Sequence, residues 1–189
     1  MVVSEKIKVV AFVGSPRRGG NTEILVDEIL TGAEESGALV EKIILNELDI
    51  KPCQACDGCK KSDSCIIDDD MEQLEVIMER SQVWILATPI YWWGPSAQLK
   101  AFIDRWYGIY GGGMFKGKNI ILAMPMGDSN EKTARHTVGM MIDSINYLHM
   151  NLLETILAPG AHSLGEIKNH TETLEKAKSL GQDIIKRIA

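Results

Sequence analysis

The chain has 189 residues, 45% of them hydrophobic and 24% charged, and 20 basic against 26 acidic side chains give a net charge of −6. A chain of this length buries roughly 70% of its unfolded surface, which removes any need for a disulfide framework, and the composition excludes disordered and fibrous architectures. No basic stripe is available to displace counterions from phosphates, so no nucleic-acid partner is expected.

No stretch approaches the roughly 18 apolar residues of a membrane span, and Met1-Val2-Val3-Ser4-Glu5-Lys6 leads into no targeting segment. No membrane partner and a cytoplasmic location are therefore expected. The β-branched run 7–13 reads as a buried strand that stops at Gly14-Ser15-Pro16. Asn21 or Thr22 is expected to cap a helix whose Val26, Ile29, Leu30 and Ala33 fall on one face, and Gly37 ends it. A second strand follows at 39–45, then a polar, cysteine-bearing insertion at about 51–70.

Asp68-Asp69-Asp70 stands where a helix N-terminus favours negative charge, with Met71, Leu74, Ile77 and Met78 as the apolar stripe behind it. Strand three is predicted at 83–87, a helix through Leu99, Phe102, Ile103 and Trp106, and strand four at 119–124. Ala134, Val138, Met141, Ile145 and Leu148 line the next helix, 152–157 is the fifth strand, and Leu174, Ala177, Leu180, Ile184 and Ile188 line the last helix. Alternating strands and helices with short connections predict one doubly wound α/β domain, a parallel sheet covered by helices on both faces.

The loop Gly14-Ser15-Pro16-Arg17-Arg18-Gly19-Gly20-Asn21-Thr22 has what an anion needs at a helix N-terminus. Glycines such as Gly20 let the backbone curl close, Ser15, Asn21 and Thr22 can donate, and Arg17 or Arg18 supplies charge. It lacks the Gly-Lys-Ser/Thr of a nucleoside-triphosphate loop and the G-x-G-x-x-G of a dinucleotide site. A plain capped turn with two solvated arginines is the competing reading. After strand three, Thr88-Pro89-Ile90-Tyr91-Trp92-Trp93-Gly94-Pro95-Ser96 presents three consecutive aromatics on a stiffened loop. Loops after strands one and three flank the topological switch point, so a phosphate cradle beside an aromatic wall suits a phosphorylated planar cofactor such as FMN. The competing reading buries at least one tryptophan, Trp93, under the following helix or at a subunit interface. Pro125-Met126-Gly127-Asp128-Ser129-Asn130 lies at the same sheet edge, with Asp128 either a helix cap or a ligand contact.

These two loops, with Ser96-Ala97-Gln98-Leu99-Lys100-Ala101-Phe102-Ile103-Asp104-Arg105 and the turn Leu164-Gly165-Glu166-Ile167, resemble the NAD(P)H-dependent FMN reductase branch of the flavodoxin-like superfamily. The resemblance implies a flavodoxin-like three-layer sandwich with strand order 2-1-3-4-5. It also implies noncovalent FMN, its phosphate on Ser15, Arg17, Asn21 and Thr22 with Arg18 and Gly20 beside them. The ring would lie against Pro89, Ile90, Tyr91, Trp92, Trp93 and Gly94, with Met126, Gly127 and Asp128 at its edge.

All four cysteines fall in the segment 53–65 as Cys53-x2-Cys56-x2-Cys59-x5-Cys65. Such a compact loop can wrap a cubane, whereas zinc sites usually use two separated Cys pairs and a secreted disulfide framework fits poorly. Empty or redox-active thiols remain the alternative. The spacing resembles the iron–sulfur flavoproteins of the same superfamily, which implies a [4Fe–4S] cluster on Cys53, Cys56, Cys59 and Cys65. His136, His149, His162 and His170 show no metal-ligand spacing and read as surface or capping residues.

A flavin-dependent oxidoreductase is the expected function. No catalytic side chain is required, because the flavin carries the chemistry and the protein supplies position and electrostatics. The resemblance suggests NAD(P)H, another small-molecule donor or a ferredoxin as electron source, while the aromatic loop and the cysteine insertion suggest self-association as a homodimer or homotetramer. The rivals are an FMN or quinone reductase without a cluster, and a nonenzymatic flavodoxin-type electron carrier.

Overall fold

Uninterrupted apolar runs in the three central strands bury both of their faces, and the sheet they build is the centre of the molecule. The computed structural model describes residues 6–62 and 64–188. Strands β1 (Lys8–Val13), β2 (Leu39–Ile44), β3 (Val83–Ala87), β4 (Asn119–Pro125) and β5 (Asn151–Ala158) pair in parallel in the order β2-β1-β3-β4-β5. Val9, Ala11 and Val13 of β1 face one side with Ile85 of β3 and Ile121 of β4, while Val10, Phe12, Trp84 and Leu122 face the other. This two-sided burial is why β1, β3 and β4 read as continuous apolar runs, whereas the edge strands β2 and β5 carry charged residues such as Lys42 and Glu154.

Helix α1 (Asn21–Glu35) and the last helix, α6 (Thr171–Ile188), cover the first side with Leu25, Ile29, Ala177 and Ile184. The short α2 (Cys59–Ser62) lies in the insertion. Helices α3 (Met71–Glu79), α4 (Ala97–Arg105) and α5 (Arg135–Tyr147) cover the second side through Leu74, Phe102 and Met141. The flavodoxin-like fold and its strand order are thus as expected.

Several boundaries differ for local reasons. Strand β2 stops at Ile44 because Leu45–Glu47 turns as a 3-10 segment that buries Leu45. Ala134 ends the 3-10 turn Glu131–Ala134 ahead of α5, and Leu148 follows that helix. His149 sits beyond it at φ 55°, where its carbonyl accepts from the Gly117 amide. Trp106, expected in α4, instead opens the 3-10 turn Trp106–Gly108, and a second, Tyr110–Gly112, follows in residues not assigned from the sequence. Among the described residues, no helix is long and apolar enough to cross a membrane.

Candidate functional site

The C-terminal ends of β1, β3, β4 and β5 release their loops on one edge of the sheet, and a cavity of about 530 Å³ opens between those loops. That volume lies within the ordinary range for cofactor pockets. Ser15, Arg17, Asn21 and Thr22 line it from the first loop; Pro89, Ile90, Tyr91 and Trp92 from the second; Met126, Gly127 and Asp128 from the third. Pro125, Thr133, Ala161, His162 and Leu164 complete the wall.

The first loop is drawn tight by Gly14, whose amide donates to the Ala87 carbonyl at 2.7 Å. A Cβ on Gly14 would stand 2.7 Å from Leu99 Cβ and from Ser96 Oγ, so only glycine lets α4 pack this close. Ser96 fixes the contact from the other side, accepting from the Leu99 amide as the α4 cap and donating to the Gly14 carbonyl at 2.6 Å. At the start of α1, the amides of Asn21, Thr22 and Glu23 have no acceptor among the described residues. The Thr22 hydroxyl also has none, Ser15 Oγ accepts from the Arg17 amide and keeps its own proton free, and Arg17 makes no ion pair there. Unpaired amides, two hydroxyls and a guanidinium at the positive end of a 15-residue helix make a cradle suited to an anion.

Three residues of the first loop do something other than expected. The cap of α1 is Gly20, with no side-chain hydrogen bond. Asn21 instead spends both amide hydrogens on the Ala161 and Ser163 carbonyls and accepts from the Ile167 amide, tying the cradle to the loop after β5. Its side chain has no donor left for a phosphate. Arg18 turns off the cavity to Glu23 at 3.1 Å and Glu47 at 3.3 Å. Burial opposes ionisation of Glu23, but hydrogen bonds from Lys42 and the Gly19 amide, with the charges of Lys42 and Arg18, hold its carboxyl below the usual range.

In the second loop, Tyr91 and Gly94 exchange both backbone hydrogen bonds at 2.9 Å around Trp92 and Trp93, whose φ values are 49° and 60°. Two left-handed residues in a two-residue turn give the φ pattern of type I′, which favours Asn-Gly. Tryptophan at both positions is strained. Tyr91, Trp92 and Trp93 are 41%, 91% and 48% exposed, so none is buried under the helix. Trp93 and Gly94 stand outside the cavity lining, and Thr137 donates to the Trp93 carbonyl at 2.9 Å.

Asp128 caps its own loop, accepting from the Asn130 amide and the Thr133 hydroxyl, and these bonds lower its pKa. It nevertheless faces the cavity. His162, expected to be a surface or capping residue, is exposed at the cavity wall, and its Nδ1 would lie 2.6 Å from a Cβ on Gly127.

The four cysteines line a second, small cavity with Arg105, Tyr107 and Gly108. All are free thiols; Cys53 and Cys56 are exposed, Cys59 and Cys65 half-buried. Ala55 and Asp57, at φ 50° and 55°, bend the chain between them. Among the described residues no group of three or more His, Cys, Asp or Glu side chains could hold a metal ion as it stands. A cubane asks for something different, since its four thiolates ligate four irons and stand around the cluster rather than meeting at one point. Four free thiols around one cavity fit that requirement in their donor set.

The NADPH-dependent FMN reductase family model matches residues 7–162. An iron–sulfur flavoprotein of Methanocaldococcus jannaschii is 32% identical over 186 residues, covering 94% of this chain and 95% of that protein. The chain belongs to the NADPH-dependent FMN reductase family, in its iron–sulfur flavoprotein subgroup. It is a flavin-dependent oxidoreductase. An iron–sulfur flavoprotein of Archaeoglobus fulgidus is 39% identical over 99 residues, an alignment covering 52% of this chain and 45% of that one. Among solved structures a flavone reductase superposes with a TM-score of 0.77 at 20% identity, covering 96% of this chain and 63% of the other, which supports the fold. Within the family fold, the cradle, the aromatic turn and Met126, Gly127 and Asp128 of the third loop are the parts of the edge cavity expected from the sequence. Ala161 and His162 come from a loop whose place is set by β5, some 140 residues after the cradle in sequence, and no local motif marked them.

Proposed function

We propose that the chain is a one-domain enzyme, 1–189 with its insertion at 51–70, that holds FMN in the edge cavity and a [4Fe–4S] cluster on Cys53, Cys56, Cys59 and Cys65. The observation that carries this reading is the gathering of all four thiols around one cavity, separate from a cofactor-sized pocket with an anion cradle. When bound, the flavin supplies one- and two-electron chemistry and the cluster one-electron exchange.

In this reading the amides of Asn21, Thr22 and Glu23, the hydroxyls of Ser15 and Thr22, and Arg17 take the phosphate. Pro89, Ile90, Tyr91 and Trp92 flank the ring, and Met126, Gly127 and Asp128 close its edge. Arg17→Ala removes a charge-assisted contact of about 1.5–3 kcal/mol and is expected to weaken FMN binding about 10- to 150-fold in a fluorescence titration of apoprotein. Unchanged affinity would put the phosphate elsewhere. Cys59→Ser is expected to lose most of its iron yet keep one FMN per chain; loss of both would make the insertion part of the flavin site.

The two cavities share no lining residue. Helix α4, nine residues and about 14 Å long at 1.5 Å per residue, starts at Ser96 against Gly14 at the base of the first loop and ends at Arg105 beside the cysteines. This separation and the exposed Trp92 support a homodimer or homotetramer in which the cluster of one chain approaches the flavin of another. The variant Trp92→Asn/Trp93→Gly relieves roughly 1–3 kcal/mol of strain per residue. It is expected to be a more stable but more dissociated protein in analytical ultracentrifugation, and an unchanged sedimentation coefficient would exclude the turn from the interface.

NAD(P)H or a ferredoxin-type protein is the proposed electron donor, acting in the cytoplasm. A cluster-free FMN or quinone reductase is the second reading, favoured by the exposure of Cys53 and Cys56. Rapid turnover with NAD(P)H by iron-free protein would select it.

A further inference from the structure

Arg105 is the last residue of α4 and is 2% exposed, a burial that arginine tolerates only when paired. Its Nη1 donates to the Lys51 carbonyl at 2.9 Å and to Asp69 Oδ2; its Nη2 donates to Asp69 Oδ1 at 3.1 Å and to Cys65 Sγ at 3.4 Å. Asp69 in turn accepts from the Lys51 amide at 2.9 Å and the Met71 amide at 3.1 Å. Lys51 precedes the first cysteine by two residues and Asp69 follows the last by four. One buried pair therefore closes the mouth of the insertion. The same guanidinium reaches a thiol inside it, and its Nε is buried without an acceptor.

We propose that Arg105 is a positioning residue that clasps both ends of the four-cysteine segment and fixes a permanent positive charge on Cys65, raising the reduction potential of the cluster held there. The inference rests on the cluster reading above. Four thiolates make the cluster anionic, and accepting one electron adds a further negative charge. A fixed cation touching a ligand sulfur stabilises the reduced form more than the oxidised one, and N–H···S bonds act in the same direction. Guanidinium keeps its charge at every working pH, and burial shields it from salt.

The test compares protein reconstituted with iron and sulfide without oxygen: wild type, Arg105→Lys, and the double variant Asp69→Asn/Arg105→Gln. The double variant leaves no buried charge unpaired and therefore keeps the fold in reach. Iron, sulfide and FMN per chain are measured together with the cluster midpoint potential, followed by electron paramagnetic resonance during reductive titration. The double variant is expected to keep one FMN per chain and to shift its midpoint down by about 59 mV or more, a tenfold change in a one-electron equilibrium. Arg105→Lys, which retains the charge but not the fork, is expected to fall between. Iron loss with an unshifted potential in the loaded fraction would reduce Arg105 to a structural clasp and overturn the proposal. So would a double variant identical to wild type in both iron and potential. A wild-type protein that takes up no iron would instead overturn the cluster reading, and this assignment with it.

Discussion

Gly181→Val is expected to cost more than about 3 kcal/mol of stability, beyond the usual 1–3 kcal/mol of an overpacked core. Gly181 of α6 faces Gly32 of α1, and the two helices touch through their backbones. A Cβ on Gly181 would stand 2.1 Å from the Ile29 carbonyl oxygen, and one on Gly32 would stand 2.0 Å from that of Lys178. Backbone cannot rotate out of the way as a side chain does, so the helices must separate and uncover Ile29, Ala177 and Ile184. Glycine within a helix costs about 0.5–1 kcal/mol relative to alanine, and close approach is what offsets that cost here. Gly139 of α5 is the control, because a Cβ there meets nothing within 4 Å. Gly139→Ala should stabilise by about 0.4–1 kcal/mol. Urea unfolding of both variants checks the argument; a wild-type midpoint for Gly181→Val would contradict it.

Asp69→Ala is expected to cost about 3–5 kcal/mol, the usual penalty for leaving half of a buried ion pair. The side chains of Arg105 and Asp69 are 1% and 0% exposed, so water cannot replace the lost partner. Burial by itself would raise the Asp69 pKa, but the hydrogen bonds from Arg105 and from the Lys51 and Met71 amides, with the Arg105 charge, lower it. A depressed folded-state pKa contributes stability above the unfolded value of about 3.9 and loses it as pH falls through the folded value. The stability gap between wild type and Asp69→Asn should accordingly be full at pH 7 and narrow below about pH 4. A gap that is constant with pH, or an alanine cost below about 1 kcal/mol, would mean that the pair does not hold the insertion.

The sheet and its long helices were legible because the strands are short, largely apolar runs mostly ended by Gly or Pro, and the long helices repeat their apolar residues at 3.6-residue spacing. The cradle was legible for a similar reason, since its glycines, hydroxyls and arginines are contiguous. What the sequence concealed was how polar side chains divide between structure and ligand. Asn21 looked like a phosphate donor, yet its amide is consumed by carbonyls of the loop after β5. Arg17 and Arg18 are adjacent and chemically alike, and only the position of Glu23 and Glu47 sends Arg18 away from the cavity. The left-handed turn at Trp92 and Trp93 was hidden because their residue type argues against it. Arg105 carried no assigned role in the sequence, and its role appears only when Lys51, Cys65 and Asp69 converge on it.

The contents of the two cavities decide between a two-cofactor enzyme and a simpler one. The most direct measurement is iron, acid-labile sulfide and flavin per chain on protein purified without oxygen. About four irons, about four sulfides and one FMN are expected from a [4Fe–4S] cluster held by four thiolates beside a single flavin site. One FMN with neither iron nor sulfide, even after reconstitution, would contradict it and leave residues 53–65 as a thiol loop on a simpler flavin reductase.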